Sequence, residues 1–211
     1  MTCFGIALNR TARPLLLGCA ASLILLWAQA CGSAAPRTAS AADLTNPFLG
    51  PEQSSWLIGP IAFIASPEEI KAYLALTDES QAAQFIDQFW AKRDPNPSKP
   101  GNPLRETFDE RTVEADRLYT EAGYRGRRTD RGTIFVIYGP PTKTDFEISP
   151  SPREPAIEAW TYAATTPAGL DGRKPSLLYR FIKRGDLTVT YVPRGQDPRQ
   201  HLREEPGQPP V

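Results

Sequence analysis

Two carboxylates and a run of guanidinium groups are the side chains whose placement could do chemistry. Asp94 follows Arg93 at the end of an apolar-periodic segment, and Asp130 precedes Arg131 at the end of a charged loop. Paired carboxylates can act as general acid and base, or can hold Ca²⁺ together with backbone oxygens. The alternative for each is a turn or cap that accepts backbone N–H bonds, and that role is the commoner one for an Asp beside Arg. Arg125, Arg127, Arg128 and Arg131 surround the loop next to Tyr124, a cluster able to grip a carboxylate or phosphate. Its competing reading is a solvated loop neutralised by nearby acids.

Other chemistries lack their parts. Cys3, Cys19 and Cys31 are the three cysteines and His201, in the tail, is the one histidine. The segment between has no thiol or imidazole for a Ser-His or Cys-His nucleophile system or a His-rich zinc site. Dinucleotide and P-loop glycine spacings are missing too. No cofactor, metal or catalytic residue is assigned on these grounds.

The elements that must position Asp94 and Asp130 are readable from spacing. Ser66-Pro67-Glu68-Glu69 is a capping box with Pro at the first helical position. Asp78 or Thr77 caps a second helix, whose apolar set Ala82, Phe85, Ile86, Phe89 and Trp90 forms one stripe and must end before Pro95. Asn102-Pro103 opens a third, running to about Glu121. Then comes the stretch on which the rest turns. Gly123, Gly126 and Gly132 punctuate a charged loop, and 134–138 is an unbroken apolar run closed by Gly139-Pro140-Pro141. Its β-branched and aromatic content predicts a central strand covered on both faces. Residues 142–155 lack apolar periodicity and read as a second Pro-rich loop. A short strand over 158–163 follows, and 177–183 with 187–192 flank Arg184-Gly185-Asp186 as a β-hairpin.

These residues carry a family resemblance. Thr129-Asp130-Arg131-Gly132, the apolar run and Tyr138-Gly139-Pro140-Pro141 resemble the core signature of the GWxTD-domain family of exported bacterial proteins. Trp90, Arg93, Asp94 and Pro95, with the following prolines, resemble its upstream FW-x-x-RDP segment, and Trp160 and Tyr162 sit where its next strand would lie. The likeness spans about 63–192. One departure stands out: Gly126 is followed by Arg127, where the family's name-giving Trp would be. The resemblance implies export and no established activity.

The first 42 residues contain no Asp or Glu, and without their three arginines 21 basic face 24 acidic side chains. Such a balance gives no footprint for nucleic acid, which is excluded as a partner. Arg10 and Arg13 precede the apolar stretch 15–27, and Ala28-Gln29-Ala30 supplies an A-x-A cleavage pattern, so 1–30 reads as a secretory signal peptide. Cys31 follows that site directly, and lipid attachment there stands beside ordinary cleavage as the two open outcomes. Residues 31–60 read as a Pro/Gly/Ala-rich tether, 61–192 as one domain and 193–211 as a disordered tail.

The expected fold is α+β, with N-terminal helices packed on a small, mainly antiparallel sheet that rests on the Phe85/Phe89/Trp90 face. The expected function is a non-catalytic binding module of the periplasm or cell envelope, with secretion as the alternative location. It is held at the membrane by its leader or a lipid and meets an envelope protein or cell-wall component through Tyr124, Arg127, Arg128, Asp130 and Arg131. The rival is a carboxylate- or metal-dependent hydrolase using Asp94 and Asp130, which requires those carboxyl groups to converge within roughly 5–10 Å.

Overall fold

The computed structural model describes residues 40–192. The leader, Cys31, the first part of the expected tether and the expected tail lie outside them. Six helices precede a four-stranded sheet among these residues: α1 (Pro51–Ser54), α2 (Ile61–Ile64), α3 (Pro67–Leu74), α4 (Glu79–Ala91), α5 (Pro103–Tyr119) and α6 (Asp130–Tyr138), then β1 (Lys143–Glu147), β2 (Ile157–Thr161), β3 (Leu178–Arg184) and β4 (Leu187–Thr190). The sheet is an antiparallel meander in the order β1-β2-β3-β4. The fold is therefore α+β.

The helix starts follow the capping chemistry of the sequence. Ser66 and Glu69 exchange both bonds of a capping box at α3, Asp78 accepts from the N–H groups of Ser80 and Gln81 at α4, and Asn102 accepts from those of Leu104 and Arg105 at α5. Each satisfies donors that a helix N-terminus leaves orphaned.

The run 134–138 is not a central strand. It forms most of α6, and the expectation fails for a physical reason. Thr129 caps this helix by accepting from Gly132 N–H. At the other end the carbonyls of Val136 and Ile137 take hydrogen bonds from the Arg111 guanidinium, and that of Ile137 one from Leu170 N–H. Gly139 then leaves the helix at φ +80°, a conformation that β-branched residues resist. Both ends are thus satisfied as a helix. The segment is buried on several sides, with Phe135, Val136 and Ile137 all at or below 6% exposure. A helix apolar all round belongs inside, where packing overrides the β preference of Ile and Val.

Two apolar clusters result. The first joins Leu44, Leu49, Leu57 and Ile61 to Tyr73, Phe89 and Trp90, with Trp56 and Phe85 packed against them. The second joins Ala115 of α5 and Phe135 and Val136 of α6 to Trp160, Tyr162 and Phe181 of the sheet side. The sheet therefore rests on α5 and α6, not on the α4 face expected for it. Leu104 and Phe108 of α5 pack on the first cluster, while Phe108 and Tyr119 pack on the second.

The expected tether also differs from residue 40 onward. Asn46 is fully buried; its side-chain N–H donates to the carbonyls of Tyr73 and Leu76, and its Oδ1 accepts from Phe48 N–H. Ile61–Ile64 make the single turn α2. Proline and glycine here break the chain into short helical turns, while Leu44, Leu49 and Leu57 supply apolar anchors. The expected loop 142–155 contains β1, an edge strand whose charged, mostly exposed residues carry no apolar alternation to announce it.

Candidate interaction site

The site expected around 124–131 is built on two close backbone approaches. A Cβ on Gly126 would overlap the carbonyl of Ala115 in α5, and one on Gly132 would overlap the carbonyl of Gly126. Only glycine lets the 3-10 turn Gly126–Arg128 lie flat between α5 and α6. Thr129 locks the turn, donating its hydroxyl to Gly126 O at 2.8 Å while capping α6. Upstream, Glu121 and Tyr124 exchange backbone hydrogen bonds across a tight turn with Ala122 and Gly123 at φ +50° and +79°. That turn projects Tyr124, 55% exposed, into solvent.

Most of the charged residues are occupied inside the fold. Arg127 pairs with Asp116 of α5: its side chain reaches Oδ2 at 2.6 and 2.9 Å, and its backbone N–H donates to Oδ1 at 2.9 Å. Burial pushes the Asp116 carboxyl up, yet these bonds from Arg127 bring it below its usual value. Where the family pattern has Trp, this chain has an ionic clasp. Arg131 is held between Glu121 at 3.0 Å and Glu158 at 2.9 Å, with its guanidinium 5.4 Å from the Tyr119 ring centre. Trp160 Nε1–H donates to the same Glu158.

Asp130 has a different task. Its Oδ2 accepts the N–H of Thr190 in β4 at 2.6 Å. Beside it, Glu121 accepts from the N–H and the hydroxyl of Thr188. Arg128 is exposed and donates to Ser55 Oγ at 2.6 Å. Together Tyr124, Arg128, Asp130, Leu187 and Val189 line a shallow cleft of about 130 Å³.

Asp94 lies elsewhere. Its Oδ1 accepts from Asn96 N–H at 2.8 Å, and it lines a second cleft of about 280 Å³ with Asp87, Trp90, Lys99 and Arg105. The two acids therefore border separate depressions, not one. Arg93, their neighbour in the upstream motif, sits 3.6 Å from the Phe89 ring centre and bridges Glu69 of α3 to the carbonyls of Ile64 and Phe89. Tyr138 donates its hydroxyl to Asp171, and Tyr162 donates to Gly139 O, just before Pro140 and Pro141. Burial raises both phenols above their ordinary value.

Asp116, Glu121, Glu158, Ser55, Thr188 and Thr190 complete the site and escape a reading of the sequence. Several lie 60 or more positions from their partners, and none falls in a periodic pattern. The capping half of the signal was readable: Thr129 three residues before Gly132, with Gly139 closing the apolar run, is a helix start and stop.

The family model of the GWxTD domain matches residues 32–171. That range holds Gly126, Thr129, Asp130 and Gly132 but ends before the β4 strand that Asp130 engages. No curated protein and no solved structure matches the chain.

Proposed function

The chain belongs to the GWxTD-domain family, and from that premise we propose that it is an exported, non-catalytic interaction module of the bacterial envelope. On this reading residues 1–30 direct export, and Cys31 offers a point of lipid attachment. The folded domain meets a partner protein through the cleft at Tyr124 and Arg128. The observation that carries the proposal is the division of labour among the loop's charges. Arg127 and Arg131 are ion-paired and Asp130 closes the edge of β4, whereas Tyr124 stands exposed and Arg128, which donates to Ser55 Oγ, has no carboxylate partner among the described residues, both beside Leu187 and Val189. A depression of about 130 Å³ is smaller than the roughly 300–1,000 Å³ of small-molecule sites. It suits one inserted side chain of a partner. An apolar group against Tyr124 with a carboxylate toward Arg128 is the matching chemistry.

The test is site-specific photo-crosslinking from position 124 in producing cells, followed by fractionation. A defined envelope protein captured by the full chain and lost with Arg128→Glu is the expected result. Absence of any product, or a product unchanged by Arg128→Glu, overturns the reading. Arg127→Glu would be a poor probe, since it breaks the clasp to Asp116. Mass spectrometry of the mature N-terminus tests the anchor: a start at Cys31 with added acyl mass against one without it.

A further inference from the structure

The sheet has two edges, and they are finished differently. On β4, Tyr191 N–H donates to Arg180 O, which places 187, 189 and 191 in the ladder with β3. Hydrogen-bonded pairs alternate in an antiparallel ladder, so the N–H groups of Thr188 and Thr190 point outward. Glu121 and Asp130 accept both, at 3.0 and 2.6 Å. That edge is closed by carboxylates.

On β1 the same alternation gives the opposite result. Tyr162 N–H donates to Leu177 O, so 158, 160 and 162 bond β3, and 157, 159 and 161 face β1. Their partners are Glu147, Asp145 and Lys143. Thr144 and Phe146 therefore turn their N–H and C=O groups to the open side, and among the described residues no side chain bonds them. Phe146, 73% exposed, and Ile148, 94% exposed, stand along this edge.

We propose that β1 pairs with β1 of a second copy of this chain, antiparallel about a two-fold axis at Asp145, extending the two sheets into one of eight strands. The sequence of the strand selects this occupant and this register. With all five residues overlapped, Thr144 meets Phe146 of the second copy as a hydrogen-bonded pair, twice, which uses every outward group of the strand. Lys143 then faces the second copy's Glu147 at both ends, in the non-hydrogen-bonded positions where side chains approach closest, and there joins the Arg180 that already holds Glu147 at 2.7 Å within its own sheet. The central Asp145 meets its own copy, but each already holds Lys143 at 2.7 Å. Sliding by two residues one way sets Asp145 against Glu147 twice. Sliding the other way sets Lys143 against Asp145 twice, but it carries Glu147 past the strand onto Pro141 and Phe146 onto Thr142, whose N–H is already given to Thr161 O. A one-residue slip turns the outward groups away from each other. The edge lies across the sheet from the Tyr124 cleft, so the inference does not depend on that site.

A five-residue strand pair covers less than the roughly 1,200 Å² of a stable interface, so the dimer is expected to be weak and concentration-dependent. The experiment is sedimentation velocity of the full chain over a concentration series, with two variants. Phe146→Pro removes an outward N–H together with the exposed ring while leaving the β2 ladder intact, and Lys143→Glu sets acids face to face without touching the backbone. Self-association that both variants abolish, with unchanged circular dichroism, is the expected result. In a chain with Cys3, Cys19 and Cys31 replaced by Ser, Asp145→Cys should also oxidise to a disulfide dimer at least tenfold faster than Thr144→Cys. Only a residue on the axis meets itself, at the ~4.5 Å Cα spacing that a disulfide accepts. A monomer at all concentrations, association indifferent to both variants, or equal crosslinking at 144 and 145 overturns it.

Discussion

Gly132 illustrates how tightly single residues are fixed at the α5–α6 junction. The neighbour of a Cβ there is backbone, the carbonyl of Gly126, which cannot swing aside like a side chain. Gly132→Ala should therefore cost about 3 kcal/mol, the upper part of the overpacking range. Thr129→Ala removes the cap of α6 and should cost about 1–2 kcal/mol, while Thr129→Ser retains most of it. Urea denaturation of the three variants checks the order. At this scale the sequence was informative. The caps Ser66, Asp78 and Asn102 are local, and so were visible. The partners of Arg127, Arg131 and Asp130 are brought together by folding, and no spacing rule encodes a contact between Asp130 and Thr190.

Among the elements, α6 and β4 depend on each other through that contact. Asp130 stands at the first turn of α6, where a carboxylate also complements the helix dipole, and its side chain closes the edge of β4. Asp130→Ala should expose the Thr190 amide to exchange while leaving Thr188, held by Glu121, protected. Glu121→Ala should do the reverse at Thr188. Hydrogen exchange read at those two amides separates the cases, and equal loss at both in either variant would sink the argument. The elements were also where sequence reading failed most. A short apolar run rich in Ile and Val has no period that tells strand from buried helix, so 134–138 was assigned by composition. β1 failed for the opposite reason: Lys143, Asp145 and Glu147 give an edge strand the look of a loop.

For the whole molecule, ionisation sets the pH window of stability. Hydrogen bonds from Arg93 hold the Glu69 carboxyl below its usual value, and Asp116 is also depressed. Groups lowered in the fold contribute fully above the ordinary carboxylate range, and lose that contribution as pH falls through their native values. Burial pushes Tyr73 up to about 12 and raises Tyr138 and Tyr162 further. Their contribution is full below the ordinary phenol value of about 10 and declines as pH rises past it, because the unfolded chain ionises first. The urea midpoint should be level between about pH 5 and 9 and fall on both sides. Glu69→Gln should lower the plateau and shallow the acid slope; an unchanged slope would refute its share. The α+β class was legible because helix signals come first and the hairpin last. The division into two apolar clusters was not, since it arises from where α5 lies in space.

That placement of α5 has a mechanical meaning. Seventeen residues of helix make a rod of about 25 Å, with Leu104 seated among the aromatic rings of the N-terminal side and Tyr119 seated over the sheet. A pull entering at one end of the molecule should therefore reach the other along this shaft, with the ring of Phe108, touching both bodies of side chains, as the coupling between them.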